Sequence, residues 1–305
     1  MSTGSSNNQT LSFLLRRFRE AGIRPQIRLG QNFLIDLNLQ RLLLETAVLG
    51  PDDVVLEIGT GTGALTALMA QRAATVVTVE LDRQLFQMAN EELFGLGNVT
   101  MFQADALKNK NRLNPLVLEA VTAALAVSPA RRFKLVANLP YQVATPILTN
   151  LLALDRPPET MTCTIQKEVA ERVIARPGTK DYGALAIWIQ NQCRAEIVRI
   201  LAPSVFWPRP KVSSAFLQIV LDPQRRGRIT ERAFFHDFVR ALFFHRRKYL
   251  RSQLLTACQD RLDKAAVDRL LIEQGLDGTD RAEQLSPDAV LALAEAVWAE
   301  LAGTA

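Results

Sequence analysis

Short runs of apolar and β-branched residues alternate with stretches of helical periodicity between residues 52 and 222. The apolar runs predict buried β-strands because they are short and are bounded by turn-forming residues. Their bounds are 54–58, 75–80, 99–103, 134–137, 161–166 and 215–220. Strands that alternate with helices over this length predict an α/β fold, namely a doubly wound, Rossmann-like parallel sheet whose ligand site lies at the carboxyl ends of the strands.

The pattern changes on both sides of this region. Residues 1–10 are small and polar, and the apolar residues that follow recur at helical spacing between arginines, which predicts a basic amphipathic helix. After Pro223 only helical periodicity is present, at 231–259, 264–274 and 287–301. We therefore expect a polar tail with a basic helix (1–24), an α/β domain (25–224) and a small C-terminal all-helical domain (229–305). Within the α/β region, 183–197 predicts another helix and 109–132 a long surface helix.

The composition is that of an ordinary globular protein, since 48% of the residues are hydrophobic and 22% are charged. The longest apolar-rich run, 113–127, falls short of the ~20 apolar residues that a membrane-spanning helix needs. The three cysteines form no Cys-x-x-Cys pair, so neither a disulfide framework nor a metal site is predicted. The polar N-terminus lacks the apolar segment of a signal peptide. These features favour a reducing, cytoplasmic location.

The net charge of +5 is concentrated in two segments. Residues 225–251 contain nine arginines and lysines against two acidic residues, and residues 16–28 contain five arginines against one glutamate. Clustered cations are typical of proteins that bind a polyanion, because each phosphate contact releases counterions. A solvated helix face or a contact with acidic lipids is an alternative interpretation of the same charges.

A glycine-rich turn follows the first predicted strand. Gly59, Gly61 and Gly63 separate that strand from a helix that begins near Ala64, and glycines permit positive φ angles and close approach of a ligand to the backbone. The same spacing also fits a nicotinamide or flavin dinucleotide. Glu57, immediately before the turn, argues against this alternative because its carboxylate would repel a pyrophosphate and would suit a cationic sulfonium group.

Two further acidic residues end the next two strands. Glu80 is placed to accept hydrogen bonds from ribose hydroxyls, and Asp105 is placed to accept one from an adenine amino group. Three acidic residues around a glycine turn, with no basic residue among them, describe a pocket for an adenosine that carries no phosphate. S-adenosylmethionine fits that description. The alternative is that all three are simply exposed carboxylates at strand ends.

The segment Asn138, Leu139, Pro140 and Tyr141 follows the fourth predicted strand. The exocyclic nitrogen of adenine is a poor nucleophile, and acceptors aimed at its hydrogens stabilise the positive charge that develops when it attacks a methyl group. The Asn138 side-chain oxygen and a main-chain carbonyl can supply them. Pro140 stiffens the turn and Tyr141 can stack on the base. Alternatively, the segment is an ordinary turn before a helix.

Taken together, these motifs identify a resemblance that runs from about Arg28 to Arg251. The sequence resembles the ribosomal RNA adenine dimethyltransferase family, the small-subunit enzymes of the kasugamycin-sensitivity type, whose relatives include macrolide-resistance methylases and mitochondrial transcription factors B. The matching segments are LGQNFLID (29–36), VLEIGTGTGALT (55–66), VTVELD (77–82), FQADAL (102–107), VANLPYQVATPIL (136–148), IQKEVAERV (165–173), YGALAIWIQ (182–190), PSVFWPRPKVSSA (203–215) and FFHRRKYLR (243–251).

The resemblance implies a class I methyltransferase fold and a role for each matching residue. S-adenosylmethionine would be bound by Asn32, Leu34, Glu57, Gly59, Gly61, Glu80, Asp105, Ala106 and Asn138. The target adenine would be held by Asn138, Leu139, Pro140 and Tyr141, with Phe206 closing over its other face or, alternatively, serving as a core aromatic. RNA phosphates would be bound by Arg246, Arg247, Lys248 and Arg251.

The implied activity is N6,N6-dimethylation of two adjacent adenines in small-subunit ribosomal RNA, presented by a pre-assembled subunit to a monomeric enzyme. A large-subunit methylase of the macrolide-resistance type and a non-catalytic RNA-binding or transcription factor are the alternatives. The sequence departs from the family pattern at 142–145, at Ser213, at His245 and in the longer 109–132 segment.

Overall fold

A computed structural model of the chain describes residues 11–258 and 261–303. The strands are β1 Phe33–Leu34, β2 Asp53–Ile58, β3 Thr75–Glu80, β4 Val99–Gln103, β5 Leu107–Asn109, β6 Arg112–Leu113, β7 Arg132–Asn138, β8 Thr160–Gln166, β9 Cys193–Leu201, β10 Phe206–Trp207 and β11 Ser214–Leu221. The helices are α1 Leu11–Glu20, α2 Leu37–Ala47, α3 Ala64–Ala70, α4 Arg83–Glu92, α5 Pro115–Ala126, α6 Ala144–Ala153, α7 Lys167–Val173, α8 Ala184–Gln190, α9 Pro223–Arg226, α10 Arg232–Leu242, α11 Leu250–Ala257, α12 Lys264–Glu273 and α13 Pro287–Gly303.

Seven strands form the central sheet in the order β4-β3-β2-β7-β8-β11-β9. Parallel pairing joins β4 to β3, β3 to β2, β2 to β7 and β7 to β8, which confirms the predicted doubly wound α/β fold. The chain builds outward from β2 through β3 to β4 and then returns to place β7 on the other side of β2. This reversal opens a crevice at the carboxyl ends of β2 and β7, where such sheets bind ligands.

All six residues of β2 are buried, and so are the five central residues of β7. A strand that is buried on both faces consists of a nearly continuous apolar run, and for this reason the bounds of these strands could be predicted from the sequence. The core beside β2 consists of α2, α3 and the apolar faces of several strands, and it contains Leu43, Leu44, Val55, Met69 and Phe216.

Helix α1 packs through Leu14 and Phe18 against the segment that follows it. The Phe18 ring lies 5.2 Å from the Phe33 ring and 5.1 Å from the Trp207 ring, both in edge-to-face geometry, measured between centroids. Aromatic pairs of this kind add to the energy of buried area. They hold Phe33, and with it the segment 29–34, beside the central sheet.

Three sequence predictions are wrong in detail. The predicted helix 183–197 ends at Gln190 in α8, and β9 begins at Cys193. The predicted helix 231–259 is two helices, α10 and α11, separated by a turn at 243–249. The 109–132 segment contains a β5–β6 hairpin before the twelve-residue helix α5. In each case helical periodicity continued across a turn or an edge strand whose side chains are partly exposed.

The chain divides into two compact units. One comprises residues up to Ala170 together with Glu196–Ile219, and the other comprises Glu171–Ala195 together with Val220 onward. The second unit therefore contains 171–195, which the sequence analysis placed in the 25–224 domain. The Trp188 ring lies 6.0 Å from the Phe235 ring, and the Tyr182 hydroxyl donates to the Leu285 carbonyl at 2.9 Å. None of the described helices is long and apolar enough to span a membrane.

Candidate active site

A cavity of about 220 Å³ lies at the carboxyl ends of β2, β3, β4 and β7. Its walls come from five of the motifs that the sequence analysis singled out: the 29–36 segment, the glycine turn, the ends of β3 and β4, and the turn after β7. The predicted site residues that line it are Asn32, Gly59, Gly61, Glu80, Asp105, Ala106, Asn138 and Pro140.

The glycine turn adopts a backbone that favours glycine. Gly59 and Gly61 have φ angles of +86° and +59°, and the Gly59 amide donates to the Val79 carbonyl at 2.9 Å. A Cβ on Gly59 would lie 3.3 Å from the ring of Pro140, and a Cβ on Gly61 would lie 3.3 Å from the ring of Phe33. The turn therefore packs directly against two other segments of the cavity wall, and side chains there would disturb both.

Glu80 connects the glycine turn to the end of β3. Its carboxylate accepts hydrogen bonds from the Gly61 amide at 2.8 Å and from the Asp82 amide at 2.9 Å. Only 6% of the residue is exposed, and burial raises the pKa of its carboxyl. Each oxygen retains a lone pair after these contacts, so Glu80 can also accept from hydroxyl groups in the cavity.

Asp105 and Ala106 form the wall beyond β4. Asp105 is exposed, and its side chain accepts a hydrogen bond from the Leu107 amide at 2.9 Å. Asn114, at the start of α5, donates to the Asp105 carbonyl at 2.9 Å. Asp105 is thus held at the edge of the cavity by its own turn and by the residue that caps α5.

Asn138 ends β7 and faces the cavity between the two halves of the sheet. Its amide nitrogen donates to the Asn32 carbonyl at 2.8 Å. This contact fixes the orientation of the amide, and Oδ1 is the acceptor that remains for a ligand. Asn138 thereby joins the turn after β7 to the 29–36 segment.

The rest of this turn has a different arrangement. Leu139 is buried and its amide donates to the Thr164 carbonyl at 3.1 Å, while the Pro140 carbonyl accepts from the Val143 amide at 3.1 Å. The Tyr141 hydroxyl lies 2.6 Å from the Ser214 hydroxyl, and burial raises the pKa of the phenol. Leu139 and Tyr141 do not belong to the cavity wall described above. Leu139 anchors the turn, and the partly exposed Tyr141 lies beside it.

Glu57 and Leu34 line a smaller adjoining cavity of about 60 Å³. Glu57 is fully buried and accepts hydrogen bonds from the hydroxyls of Thr66 at 2.5 Å and Thr78 at 2.6 Å. Burial raises the pKa of its carboxyl to about 8, so folding favours the protonated form of the group near neutral pH. Desolvation therefore disfavours the charged carboxylate on which the argument for a cationic group relied, and the role of Glu57 in binding a cofactor stays a prediction.

Phe206 lies in the core instead of over the cavity. It is 2% exposed, pairs with Leu34 in the β1–β10 ladder, and packs in the cluster that contains Leu201 and Phe216. The expectation that its ring closes over a target base is therefore wrong in this structure, and the alternative of a core aromatic is correct. The apolar partners of the ring explain its position.

A network of threonine hydroxyls supports the glycine turn and was not predicted from the sequence. Thr60, in the turn, lies 2.7 Å from Thr78 between hydroxyl oxygens, and Thr78 and Thr66 both donate to Glu57. The available sign was Thr78 itself, a polar residue in the middle of the valine-rich strand β3. Buried polar groups of this kind require partners.

The basic segment 225–251 is largely engaged within its own unit. Arg246 pairs with Glu283 at 2.9 Å, and Arg251 pairs with Asp268 at 2.5 Å. Arg225, Arg226 and Arg228 also bond to neighbouring protein groups. Arg247 and Lys248 are exposed. Much of the clustered charge is thus compensated by the fold.

Comparison with known proteins supports one family. The family model described as ribosomal RNA adenine dimethylase matches residues 23–297. A protein named ribosomal RNA small subunit methyltransferase A from Geobacillus sp. is 37% identical over 270 residues, which are 88% of this chain and 90% of that protein. A protein of the same name from Shouchella clausii is 37% identical over 93% of both chains.

Solved structures give the same picture of the fold. A dimethyladenosine transferase from Plasmodium falciparum superposes with a TM-score of 0.68 at 22% identity, over 85% of this chain and 94% of that one. The 23S rRNA methyltransferase ErmE superposes with a TM-score of 0.59 at 25% identity, over 87% of this chain and 99% of that one.

Proposed function

The chain belongs to the ribosomal RNA adenine dimethylase family, and from this premise we propose that it transfers methyl groups from S-adenosylmethionine to N6 of two adjacent adenines in small-subunit ribosomal RNA. The observation that carries the proposal is the cavity in which Glu80, the glycine turn and Asn138 meet. These residues provide a nucleoside site and, beside it, an acceptor for an amine.

The cavity suits S-adenosylmethionine by its charge and its backbone. Glu80 and Asp105 are acidic and Arg28 is the one basic residue among the described lining residues, which favours a nucleoside without phosphates. Carboxylate acceptors fit ribose hydroxyls and an adenine amino group. When bound, the cofactor supplies an electrophilic methyl group. The residues proposed to hold it are Asn32, Gly59, Gly61, Glu80, Asp105, Ala106 and Asn138.

Asn138 is proposed to bind the amine of the target adenine. Its Oδ1 accepts a hydrogen from the exocyclic nitrogen, and this stabilises the positive charge that develops on that nitrogen. The hydrogen bond to the Asn32 carbonyl keeps the amide from rotating. An acceptor that is already oriented costs little reorganisation during the reaction, so the contribution of Asn138 is greatest in the transition state.

Tyr141 is proposed to stack on the target base. The Ser214 hydroxyl restrains the phenol, and Tyr141 is partly exposed. An adenine inside a helix cannot present its amino group to a cavity, so the base must leave the stack, and an aromatic ring offers it a new stacking partner. A stiff turn at Pro140 keeps that ring at a fixed distance from Asn138.

The choice of RNA follows from the relatives. Proteins that share 37% identity over most of their length carry the name small subunit methyltransferase A, and this favours the small-subunit RNA over the large-subunit RNA implied by the more distant ErmE. The intact set of Glu80, Asp105 and Asn138 favours an enzyme over a non-catalytic factor. A monomeric state and a cytoplasmic location stay predictions from the sequence.

Transfer of tritium from labelled S-adenosylmethionine tests the proposal. Methylation-deficient small subunits, naked small-subunit RNA and large subunits are incubated separately with the protein, and label in RNA is counted. We expect label in the assembled small subunits, and not in naked small-subunit RNA or in large subunits, because the implied substrate is a pre-assembled subunit. Label only in large subunits would replace the proposed substrate, and RNA binding without label in any sample would favour the non-catalytic factor.

A further inference from the structure

The turn between α10 and α11 exposes aromatic and basic side chains together. We name residues 244–249 the aromatic–basic turn, and we propose that it binds an unpaired segment of the substrate RNA by stacking Phe244 and Tyr249 on bases while Arg247 and Lys248 contact phosphates. The inference rests on the proposed function for the nature of the partner. Phosphate contacts by Arg247 and Lys248 are what the family resemblance implies, and the stacking of the exposed Phe244 and Tyr249 on unpaired bases is what the structure adds.

Exposure of the aromatic residues is the first observation. Phe244 is 78% exposed and Tyr249 is 58% exposed. The residues that flank the turn behave differently, since Leu242 and Leu250 are fully buried and Phe243 is 9% exposed. The His245 ring lies edge-on to the Phe244 ring, with 4.8 Å between centroids. Large exposed apolar side chains that cluster in this way mark sites of interaction more often than isolated ones do.

Hydrogen bonds anchor the backbone of the turn to its unit, which is the second observation. Arg246 points back into its unit and donates to the carbonyls of Lys180 and Tyr182 at 3.0 and 3.1 Å, in addition to its ion pair with Glu283. Gln253 donates its side-chain amide to the His245 carbonyl at 3.0 Å and its backbone amide to the Tyr249 carbonyl at 3.0 Å. A surface that is already ordered loses little conformational entropy when it binds.

The distribution of charge is the third observation. Arg246 and Arg251 have carboxylate partners in Glu283 and Asp268, whereas Arg247 and Lys248 form no ion pair with any described residue. Two uncompensated cations therefore stand between Phe244 and Tyr249 in the chain. Proteins bind single-stranded nucleic acid by combining cations, which contact the phosphate backbone, with aromatic rings, which stack on the bases.

The chemistry selects unpaired RNA over a duplex. Aromatic rings can stack only on bases whose faces are exposed, and a duplex covers those faces. Phosphate contacts alone would not need Phe244 and Tyr249 at the surface. The aromatic–basic turn thus predicts a preference for a loop or a single-stranded end, separate from recognition of the methylated adenines by the cavity.

The test compares two hairpin RNAs that have the same stem and the same number of phosphates. One has a loop of adenines and the other has a loop of abasic nucleotides, and binding to the full-length protein is followed by fluorescence anisotropy. The double variant Phe244→Ala/Tyr249→Ala should bind the adenine loop roughly tenfold more weakly and the abasic loop as the wild type does. Phe94→Ala, at a residue that is 89% exposed in the other unit, is the matched control and should bind both RNAs normally.

The cations give an independent readout. Arg247→Ala/Lys248→Ala should weaken binding to both hairpins and reduce the slope of log affinity against log salt by about 1.4, at roughly 0.7 per lost phosphate contact on single-stranded RNA. The aromatic double variant should leave that slope unchanged. Each variant should have the same thermal unfolding midpoint as the wild type, so that a change in affinity reflects binding and not loss of folding.

Equal binding of the adenine loop by the wild type and the folded aromatic double variant would overturn the inference. The inference would also be overturned if the aromatic and basic residues of the turn were needed for binding to anionic phosphatidylserine vesicles but not for binding to either hairpin RNA. Methyl transfer to small subunits is measured with the same preparations. Transfer without the loop preference rejects only this surface, whereas the loop preference without transfer supports the surface and rejects the proposed function.

Discussion

At the scale of single residues, the cavity owes its chemistry to how hydrogen bonds orient a few polar groups. Asn138 has one of its two polar atoms committed to the Asn32 carbonyl, and Glu80 is held by two backbone amides. Sequence spacing predicted that both residues face a ligand. It could not predict which side-chain atoms the protein itself uses, because the partner of Asn138 is 106 residues away in the chain and those of Glu80 depend on how the turns at 59–63 and 80–82 fold.

Replacement of Asn138 by alanine should separate catalysis from binding. The variant loses the oriented acceptor, and loss of one such group typically lowers the rate by about 100-fold or more. The single-turnover rate of methyl transfer should therefore fall by at least that factor, while the affinity for small-subunit RNA measured by filter binding should change by less than about twofold. A parallel loss of rate and affinity would contradict the role of Asn138.

Replacement of Glu57 by glutamine should remove a pH dependence of stability. Burial raises the pKa of this carboxyl from 4.5 to about 8. Below pH 4.5 the carboxyl is protonated in both the folded and the unfolded protein. Between pH 4.5 and about 8 only the folded protein keeps the proton. The free energy of unfolding therefore falls as the pH rises through this range, by on the order of 1 kcal/mol per pH unit. Glutamine has nearly the same shape as protonated glutamate and can accept the same hydrogen bonds from Thr66 and Thr78, but it does not titrate.

Urea unfolding of the wild type and of Glu57→Gln at pH 5, 6, 7 and 8 measures this effect. The difference in unfolding free energy should move in favour of the variant as the pH rises. Glu119→Gln on the exposed face of α5 is the control and should show no such trend. Parallel curves for the wild type and Glu57→Gln would show that the buried carboxyl is ionised in the folded protein.

At the scale of elements, the glycine turn determines how closely β2, β7 and the 29–36 segment approach one another. The sequence predicted the turn and the bounds of the strands around it, because strands buried on both faces are apolar throughout. It did not predict β9, an edge strand in which exposed Arg194, Glu196 and Arg199 interrupt the apolar pattern. It also missed the interruption between α10 and α11, where helical periodicity continues through exposed aromatic residues.

Two glycines with the same backbone angle allow strain to be separated from contact. Gly59 and Gly95 have φ angles of +86° and +85°, but a Cβ at Gly59 would meet the Pro140 ring at 3.3 Å whereas one at Gly95 would meet nothing within 4 Å. Both alanine variants should lose about 1 kcal/mol of stability from the left-handed backbone. Gly59→Ala alone should also weaken S-adenosylmethionine binding, by roughly tenfold or more, because the turn must move away from Pro140.

Isothermal titration with S-adenosylmethionine and urea unfolding together provide the comparison. Gly95→Ala reports the cost of the backbone conformation alone. Cofactor affinity that falls equally in the two variants would mean that global stability, and not the contact between Gly59 and Pro140, governs the shape of the cavity.

At the scale of the whole molecule, each compact unit carries a different part of the proposed activity. The unit with the parallel sheet contains the cavity, and the unit with α8 and α10–α13 contains the aromatic–basic turn. Charge along the sequence indicated an RNA-binding region but overstated its extent, since several arginines of 225–251 are bound within the fold. Ion-pair partners such as Glu283 and Asp268 lie outside that segment, so they could not be identified from the pattern of charges along the chain.

The most direct test of the central claim is mass spectrometry of nucleosides from small-subunit RNA. Methylation-deficient small subunits are incubated with S-adenosylmethionine and either the wild-type protein or the Asn138→Ala variant, and the RNA is then digested. We expect two N6,N6-dimethyladenosines at adjacent positions per RNA with the wild type, and at least about 100-fold less with the variant at an early time point in the reaction. Unmodified adenosines after incubation with folded wild-type protein that binds both the cofactor and the subunits would contradict it.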